Sequence, residues 1–344
     1  MARRQPKREI KLLAALIMTE PNRLSLPAWA SSVLACPQCR ASLVAIEDLL
    51  SCQHCGLTAK YEAGIVRFDA GTSDAAIAWY NAAGGTQLHD RAQIPFTTSS
   101  LDSPVYRSYL EAFRPNNLNS TIVDVGAGDG RNTEPWLLWG YQRVIAVDAI
   151  SASLARLRDR VANEHPECFS RLLLVQCDIR RLPLASACAN RVLAIEALCY
   201  LNDDFAKGLV EASRLLNPAG RIMISERAWE GALVSSLLYR GLGPMLDMRQ
   251  TGDIYDATGE NLVRTKTFTE AALISLIQGI GLEVLERKGI SILPLLLGYV
   301  RQQGRLSPAD EPRLPETCDF MMQLGLQGQM RRTHVIVAGP RTGV

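Results

Sequence analysis

Apolar positions along this chain gather into short runs divided by mixed and polar stretches. Thr121-Ile122-Val123, Val144-Ile145-Ala146-Val147, Leu172-Leu173-Leu174-Val175 and Val192-Leu193-Ala194-Ile195 are four such runs. Each has strand length and no polar alternation, as strands of a parallel sheet buried on both faces do. Phe268 to Gly279 predicts a helix, Gly281 to Glu286 a strand, and His334 to Gly339 a final strand. The order of runs and helices predicts an α/β fold.

Between the first two runs stands Asp124-Val125-Gly126-Ala127-Gly128-Asp129-Gly130, and the second run ends in Asp148. Glycines at the carboxyl end of a parallel strand let the chain turn tightly where a ligand approaches the backbone. A carboxylate roughly twenty positions later can accept from ribose hydroxyls. A nicotinamide or flavin site would share these features. The acidic residue ahead of the glycines breaks the tie, because it would repel a pyrophosphate and tolerate a cofactor with a cationic end. With Asp178-Ile179 and Leu182-Pro183-Leu184 after the third run, and Glu211 to Gly220 as helix and turn before a fifth strand, the chain resembles the class I S-adenosylmethionine-dependent methyltransferases. The resemblance implies a doubly wound, seven-stranded Rossmann-like sheet that closes with an antiparallel pair. It also implies a cofactor set. Asp124 would lie near the amino-acid end, and the backbone of Gly126, Ala127, Gly128 and Gly130 beside the methionine and ribose. Asp148 and Ala149 would hold the ribose, Asp178 and Ile179 the adenine edge, with Glu196 beyond strand four.

Upstream, Cys36-Pro37-Gln38-Cys39 is followed after twelve residues by Cys52-Gln53-His54-Cys55. Two such turns suit one tetrahedral, four-sulfur structural Zn2+ with Cys36, Cys39, Cys52 and Cys55 as ligands, and redox or disulfide pairs are the competing reading. His54 is read as a solvated loop residue. Through Phe68 the segment resembles the small zinc-ribbon leader that precedes some bacterial methyltransferase domains, certain ribosomal RNA guanine methyltransferases among them. The predicted organisation is a basic N-terminal tail and short helix at 1–30, a zinc ribbon at 31–70, a helical cap or linker at 71–115, and the methyltransferase domain at 116–344. Insertions fall near 229–264 and 293–332.

The length of 344 residues and 47% apolar content can bury one large core and a small module, and the small module alone needs a metal staple. The net charge of +2, from 37 basic and 35 acidic residues, argues against a broad nucleic-acid-binding face. Arg3, Arg4, Lys7 and Arg8 precede a seven-residue apolar run that is at the short limit for a signal peptide. Ile290 to Val300 is too short to span a bilayer. A thiolate metal site and a cytosolic cofactor point to a cytoplasmic protein.

The acceptor pocket should open above the strand ends, lined by Glu196 to Leu201 and by the insertions, of which 229–264 reads as a lid with an apolar inner face. His89, in the polar and aromatic stretch Trp79 to Arg91, and Tyr200 are the candidate catalytic residues. Tyr106 and Tyr109 either cover the cofactor or belong to the core. Cys199 is a candidate nucleophile, with packing favoured; Cys168, Cys177, Cys188 and Cys318 read as core residues. The function expected is methyl transfer to an oxygen or nitrogen of a small metabolite, such as a secondary-metabolite or sugar intermediate, in a chain able to form a homodimer. The alternative is an rRNA or tRNA base methyltransferase that grips RNA through the ribbon; a scaffold that has lost activity ranks last.

Overall fold

Thr121–Val125 forms a strand, β5, with all five residues buried, as an unbroken apolar run requires of a strand covered on both faces. In the computed structural model, residues 25–68, 77–78, 107–258, 261–292, 331–341 and scattered positions between 296 and 313 are described. Strands β6 (Arg143–Asp148) and β7 (Leu172–Gln176) follow β5 outward in parallel, and β8 (Ala189–Ile195) returns to its other side. Strand β9 (Leu216–Arg227) continues in parallel beyond β8. Strands β12 (Leu282–Ser291) and β13 (Arg331–Pro340) close the sheet with β13 antiparallel to both β9 and β12. The order β7-β6-β5-β8-β9-β13-β12 is the predicted doubly wound arrangement, with its switch point between β5 and β8.

The helices are α1 (Glu134–Leu138), α2 (Ser151–Glu164), α3 (Phe205–Arg214), α4 (Trp229–Arg240), α5 (Leu242–Thr251) and α6 (Glu270–Gly279). Helix α6 starts two residues later than the pattern predicts because the Thr269 side chain accepts from the Ala272 N–H and caps it. Asn217 to Gly220 does not separate helix from strand. Strand β9 already begins at Leu216, and the Asn-Pro-Ala-Gly segment bulges within it, where the register with β8 shifts between Ala189 and Arg191.

The cysteine-rich segment contributes β1 (Leu43–Ile46), β2 (Leu49–Cys52), β3 (Thr58–Glu62) and β4 (Ile65–Arg67), paired in antiparallel sequence. Strand β4 then pairs in parallel with β7, Val66 opposite Val175, so the ribbon extends the main sheet to eleven strands. Leu50, Ala59 and Val66 share one apolar core with Leu173, Val175 and Leu184. The insertion after β9 is α4, α5 and a hairpin of β10 (Asp253–Thr258) and β11 (Asn261–Lys266). Most of 293–330, with Phe320, Met321, Met322 and Met330, lies outside the described residues. No helix among the described residues is long and apolar enough to cross a membrane.

Candidate functional site

The carboxyl ends of β5, β6, β7 and β8 surround a cleft of ≈ 170 Å³. Its floor is built from the glycine turn. Gly126 takes φ 77°, and its N–H and that of Ala127 donate to Val147 O at 2.8 and 3.0 Å. A side chain at Gly126 would stand 2.3 Å from the Ala197 Cβ, so glycine alone lets the β5 and β8 turns meet. Asp148 ends β6 with both oxygens committed at their backs: Oδ2 accepts from the Gly128 N–H and Oδ1 from the Ile150 N–H, each at 2.7 Å. Burial pushes this carboxyl up, and the backbone donors oppose the shift. Gly128 has open space where a side chain would be.

Asp178 and Ile179 form another wall. The Asp178 side chain caps the short turn Ile179–Arg181 by accepting from the Arg180 N–H at 2.8 Å, and Arg180 Nε donates to both its oxygens at 2.9 Å. Arg180 also donates to Asp204 at 3.1 Å. Ala149, Glu196 and Tyr200 line the cleft as well. So do Ile77 and Arg180, which sequence reasoning missed: Ile77 stands in a linker without periodicity, whereas Arg180, two residues after Asp178, fits an Asx turn and was legible in principle.

The remaining predicted cofactor residues lie elsewhere. Asp124 is buried within β5 and accepts from Thr133 Oγ1 at 2.6 Å. Burial raises its pKa to about 6, with the Thr133 hydroxyl opposing and Asp148 adding to the shift. Ala127 packs into the apolar core, and the space beside Gly130 is filled by Leu157 of α2. Tyr109 is buried and donates to Gly289 O at 2.7 Å, which makes it a core residue. His89, Tyr106 and the segment from Trp79 to Arg91 lie outside the described residues.

Beyond β8 the chain is strained and acidic. Glu196 has φ 49°, unusual for a residue with a Cβ, and Thr333 Oγ1 donates to its Oε1 at 3.2 Å. Arg227 Nη2 donates to the Tyr200 hydroxyl at 3.5 Å. Both Glu226 oxygens are buried without a hydrogen bond among the described residues. Burial drives its pKa to about 8; Cys199 and Arg227 nearby oppose the shift, and the Glu196 charge adds to it. Cys199 is fully buried, and burial first, then neighbouring carboxylates, raise its thiol well above the ordinary range. A thiolate nucleophile is disfavoured there, so Cys199 packs. Cys168 and Cys177 are buried too; Cys318 lies outside the described residues.

At the other end of the sheet, the sulfurs of Cys36, Cys39, Cys52 and Cys55 all lie within 4.8 Å of one another. Cys36 to Cys55 and Cys39 to Cys52 are 3.4 Å apart, and Cys39 to Cys55 3.6 Å. Ligands ~2.3 Å from a tetrahedral zinc stand ~3.8 Å from each other, so the spacing suits a metal and is too long for disulfides.

The methyltransferase-domain family model matches residues 123–224, from β5 into β9. No curated protein gives a significant sequence match. Among solved structures, a protein from Listeria monocytogenes assigned as an S-adenosylmethionine dependent methyltransferase is 14% identical, with a TM-score of 0.50 over 71% of this chain and 100% of its own. The [4+2]-cyclase SpnF, 14% identical, gives 0.53 over 80% and 99%. The 1,6-didemethyltoxoflavin-N1-methyltransferase of Burkholderia thailandensis, 19% identical, gives 0.47 over 83% and 96%. Likenesses at this identity speak for the fold alone.

Proposed function

We propose, on the premise of the methyltransferase-domain match over residues 123–224 and the doubly wound fold, that this chain is a class I S-adenosylmethionine-dependent methyltransferase that binds its cofactor in the switch-point cleft and methylates an oxygen or nitrogen of a small metabolite. The observation that carries the reading is Asp148. Its carboxylate lines the cleft, fixed by the Gly128 and Ile150 N–H groups, as a ribose diol needs. The apolar Ile179 beside it suits an adenine face, and Asp178 an amino group at its edge. The open space at Gly128 leaves room for the ribose and methionine portions.

When bound, this cofactor supplies a methyl on a sulfonium, already an activated leaving group. The chain's work is therefore alignment and exclusion of water. Tyr200 lines the cleft, and its oxygen accepts from Arg227 at 3.5 Å, so the phenol is the side chain of this wall best placed to touch an acceptor. The four thiolates would hold structural Zn2+ with no open position for catalysis. Support for a small acceptor over RNA comes from the near balance of 37 basic and 35 acidic residues, and from Arg40 beside Cys39, whose guanidinium donates to Leu182 O and Glu211.

Calorimetry on metal-analysed protein tests the reading. S-adenosylmethionine and S-adenosylhomocysteine are expected to bind at micromolar concentrations and NAD not at all. Folded, metal-loaded protein that binds neither sulfur nucleoside would overturn it.

A further inference from the structure

The carboxyl ends of three strands meet in one row. Arg67 is the last residue of β4, Gln176 the last of β7 and Asp148 the last of β6, and the pairing sets Arg67 opposite Gln176 and Gln176 opposite Asp148. Residues opposite one another in a sheet project to the same side, so the row runs from the ribbon to the ribose wall of the cleft. Arg67 Nη1 donates to Gln176 Oε1 at 2.9 Å and also to Ser151 Oγ, on the first residue of α2. Gln176 passes the restraint on, since its Nε2 donates to Ala149 O at 3.2 Å.

The turn from Ala149 to Ser151 shapes the site. Ala149 and Ile150 line the cleft, and the Ile150 N–H is one of the two backbone donors that fix the Asp148 carboxylate. One guanidinium therefore holds both ends of this turn, Ala149 through Gln176 and Ser151 directly. Without those bonds the turn samples other backbone conformations, and each of them moves the Ile150 N–H off the carboxylate. The guanidinium is steadied from the ribbon side as well: its Nε lies 3.3 Å from Glu62 Oε2 on β3, and its planar fork suits several fixed partners at once.

We propose that Arg67 is a positioning residue of the cofactor site: from the ribbon it sets the turn from Ala149 to Ser151, through Gln176 and Ser151, so that Asp148 is presented to a ribose diol. The ribose clause rests on the methyltransferase reading, whereas the restraint on the turn stands on the row of side chains itself. The ribbon then belongs to the cofactor site as its supporting layer, beyond covering the edge of β7.

Two readouts on the full chain test it. Without any nucleoside, Arg67→Met and Gln176→Met should each speed hydrogen exchange at the Ile150 amide about tenfold or more. In calorimetry the parent is expected to prefer S-adenosylhomocysteine to its 2′-deoxy analogue by about tenfold or more, and both variants to lose most of that preference. Arg158→Met breaks a different ribbon contact, the bond from Arg158 Nη1 to Ala63 O at 2.9 Å, and should change neither readout. A merely structural role for Arg67 would weaken both nucleosides alike and leave their ratio at the parent's value. Where Arg67→Met fails to fold, Gln176→Met carries the test, because it leaves the ribbon's own pairing of Arg67 with Glu62 in place. Unchanged Ile150 exchange, or an unchanged ratio in variants that bind S-adenosylhomocysteine, overturns the proposal and leaves the methyltransferase reading standing. A parent that binds neither nucleoside, with Ile150 exchange responding as expected, overturns that reading and leaves the positioning of the turn by Arg67 intact.

Discussion

Arg40 Nη2 lies 2.8 Å from Glu211 Oε1, an ion pair that ties the cysteine turn to the helix behind the cofactor cleft. Arg40 follows Cys39 directly, in a left-handed conformation (φ 66°) with its N–H bonded to Cys36 O. Its other nitrogen donates to Leu182 O at 2.8 Å, and Glu211 in turn accepts from the Leu182 N–H at 3.0 Å and from Arg214. Leu182 ends the turn that begins at Asp178, so the ribbon and the adenine side of the cleft share one network.

The two partners differ in burial, and substitutions should differ accordingly. Glu211→Gln leaves Arg214 and Arg40 without a counter-charge around a nearly buried site, and is expected to cost about 2–4 kcal/mol of stability. Arg40→Met removes a third-exposed partner and should cost only about 1 kcal/mol. Urea midpoints of the two variants decide the order; equal losses would refute it.

Metal analysis of purified protein should find about one zinc per chain. Chelation under reducing conditions is expected to remove hydrogen-exchange protection from β1 to β4 and to weaken S-adenosylmethionine binding, because Arg40 then loses its fixed turn. Protection and affinity that survive metal removal would show that the ribbon folds on packing alone.

Asp148 and Asp124 both belong to the predicted cofactor motif, yet only Asp148 lines the cleft. Asp148→Ala should weaken S-adenosylmethionine binding by about 1–3 kcal/mol. Asp124→Asn, which keeps a partner for Thr133, should leave affinity within about 0.5 kcal/mol and act on stability instead. Calorimetry on the pair separates site from support.

Glu226 gives the protein a pH dependence of known sign. Its pKa is about 8 in the fold against an ordinary 4.5, so the folded state prefers the protonated acid. That contribution is complete below pH 4.5 and is lost as pH rises through 8. Glu226→Gln, a permanent mimic of the protonated form, should match the parent at pH 4 to 5 and exceed it by a few kcal/mol near pH 9. Thermal denaturation across that range checks the crossover.

Much of this architecture was legible because buried parallel strands write themselves as unbroken apolar runs: β5, β6, β7 and β8 fall on the predicted segments. The placement of Asp148 and Asp178 at the cleft and the clustering of the four cysteines were legible because the chemistry they suit fixes their spacing. Asp124, Ala127 and Gly130 do not line the cleft itself: a motif records adjacency along the chain, and Thr133 ahead of α1 and Leu157 of α2 pack against Asp124 and Gly130 from positions it does not include. The nearness of Arg227 to Arg332 was illegible for the same reason. Arg227 and Arg332 are 105 residues apart in number, and antiparallel pairing of β9 with β13 brings them together.

The pairing of β4 on β7 has a colloidal consequence. Without it, Leu172-Leu173-Leu174-Val175 would end the parallel sheet as a long apolar edge with unpaired backbone donors, a template on which other chains polymerise. The ribbon moves the terminus of the sheet to β1, only four residues long and paired with β2 in a hairpin. A chain trimmed to begin after Phe68 would lose this shield together with the Arg40 contact to the cleft wall, and its first failing would be precipitation.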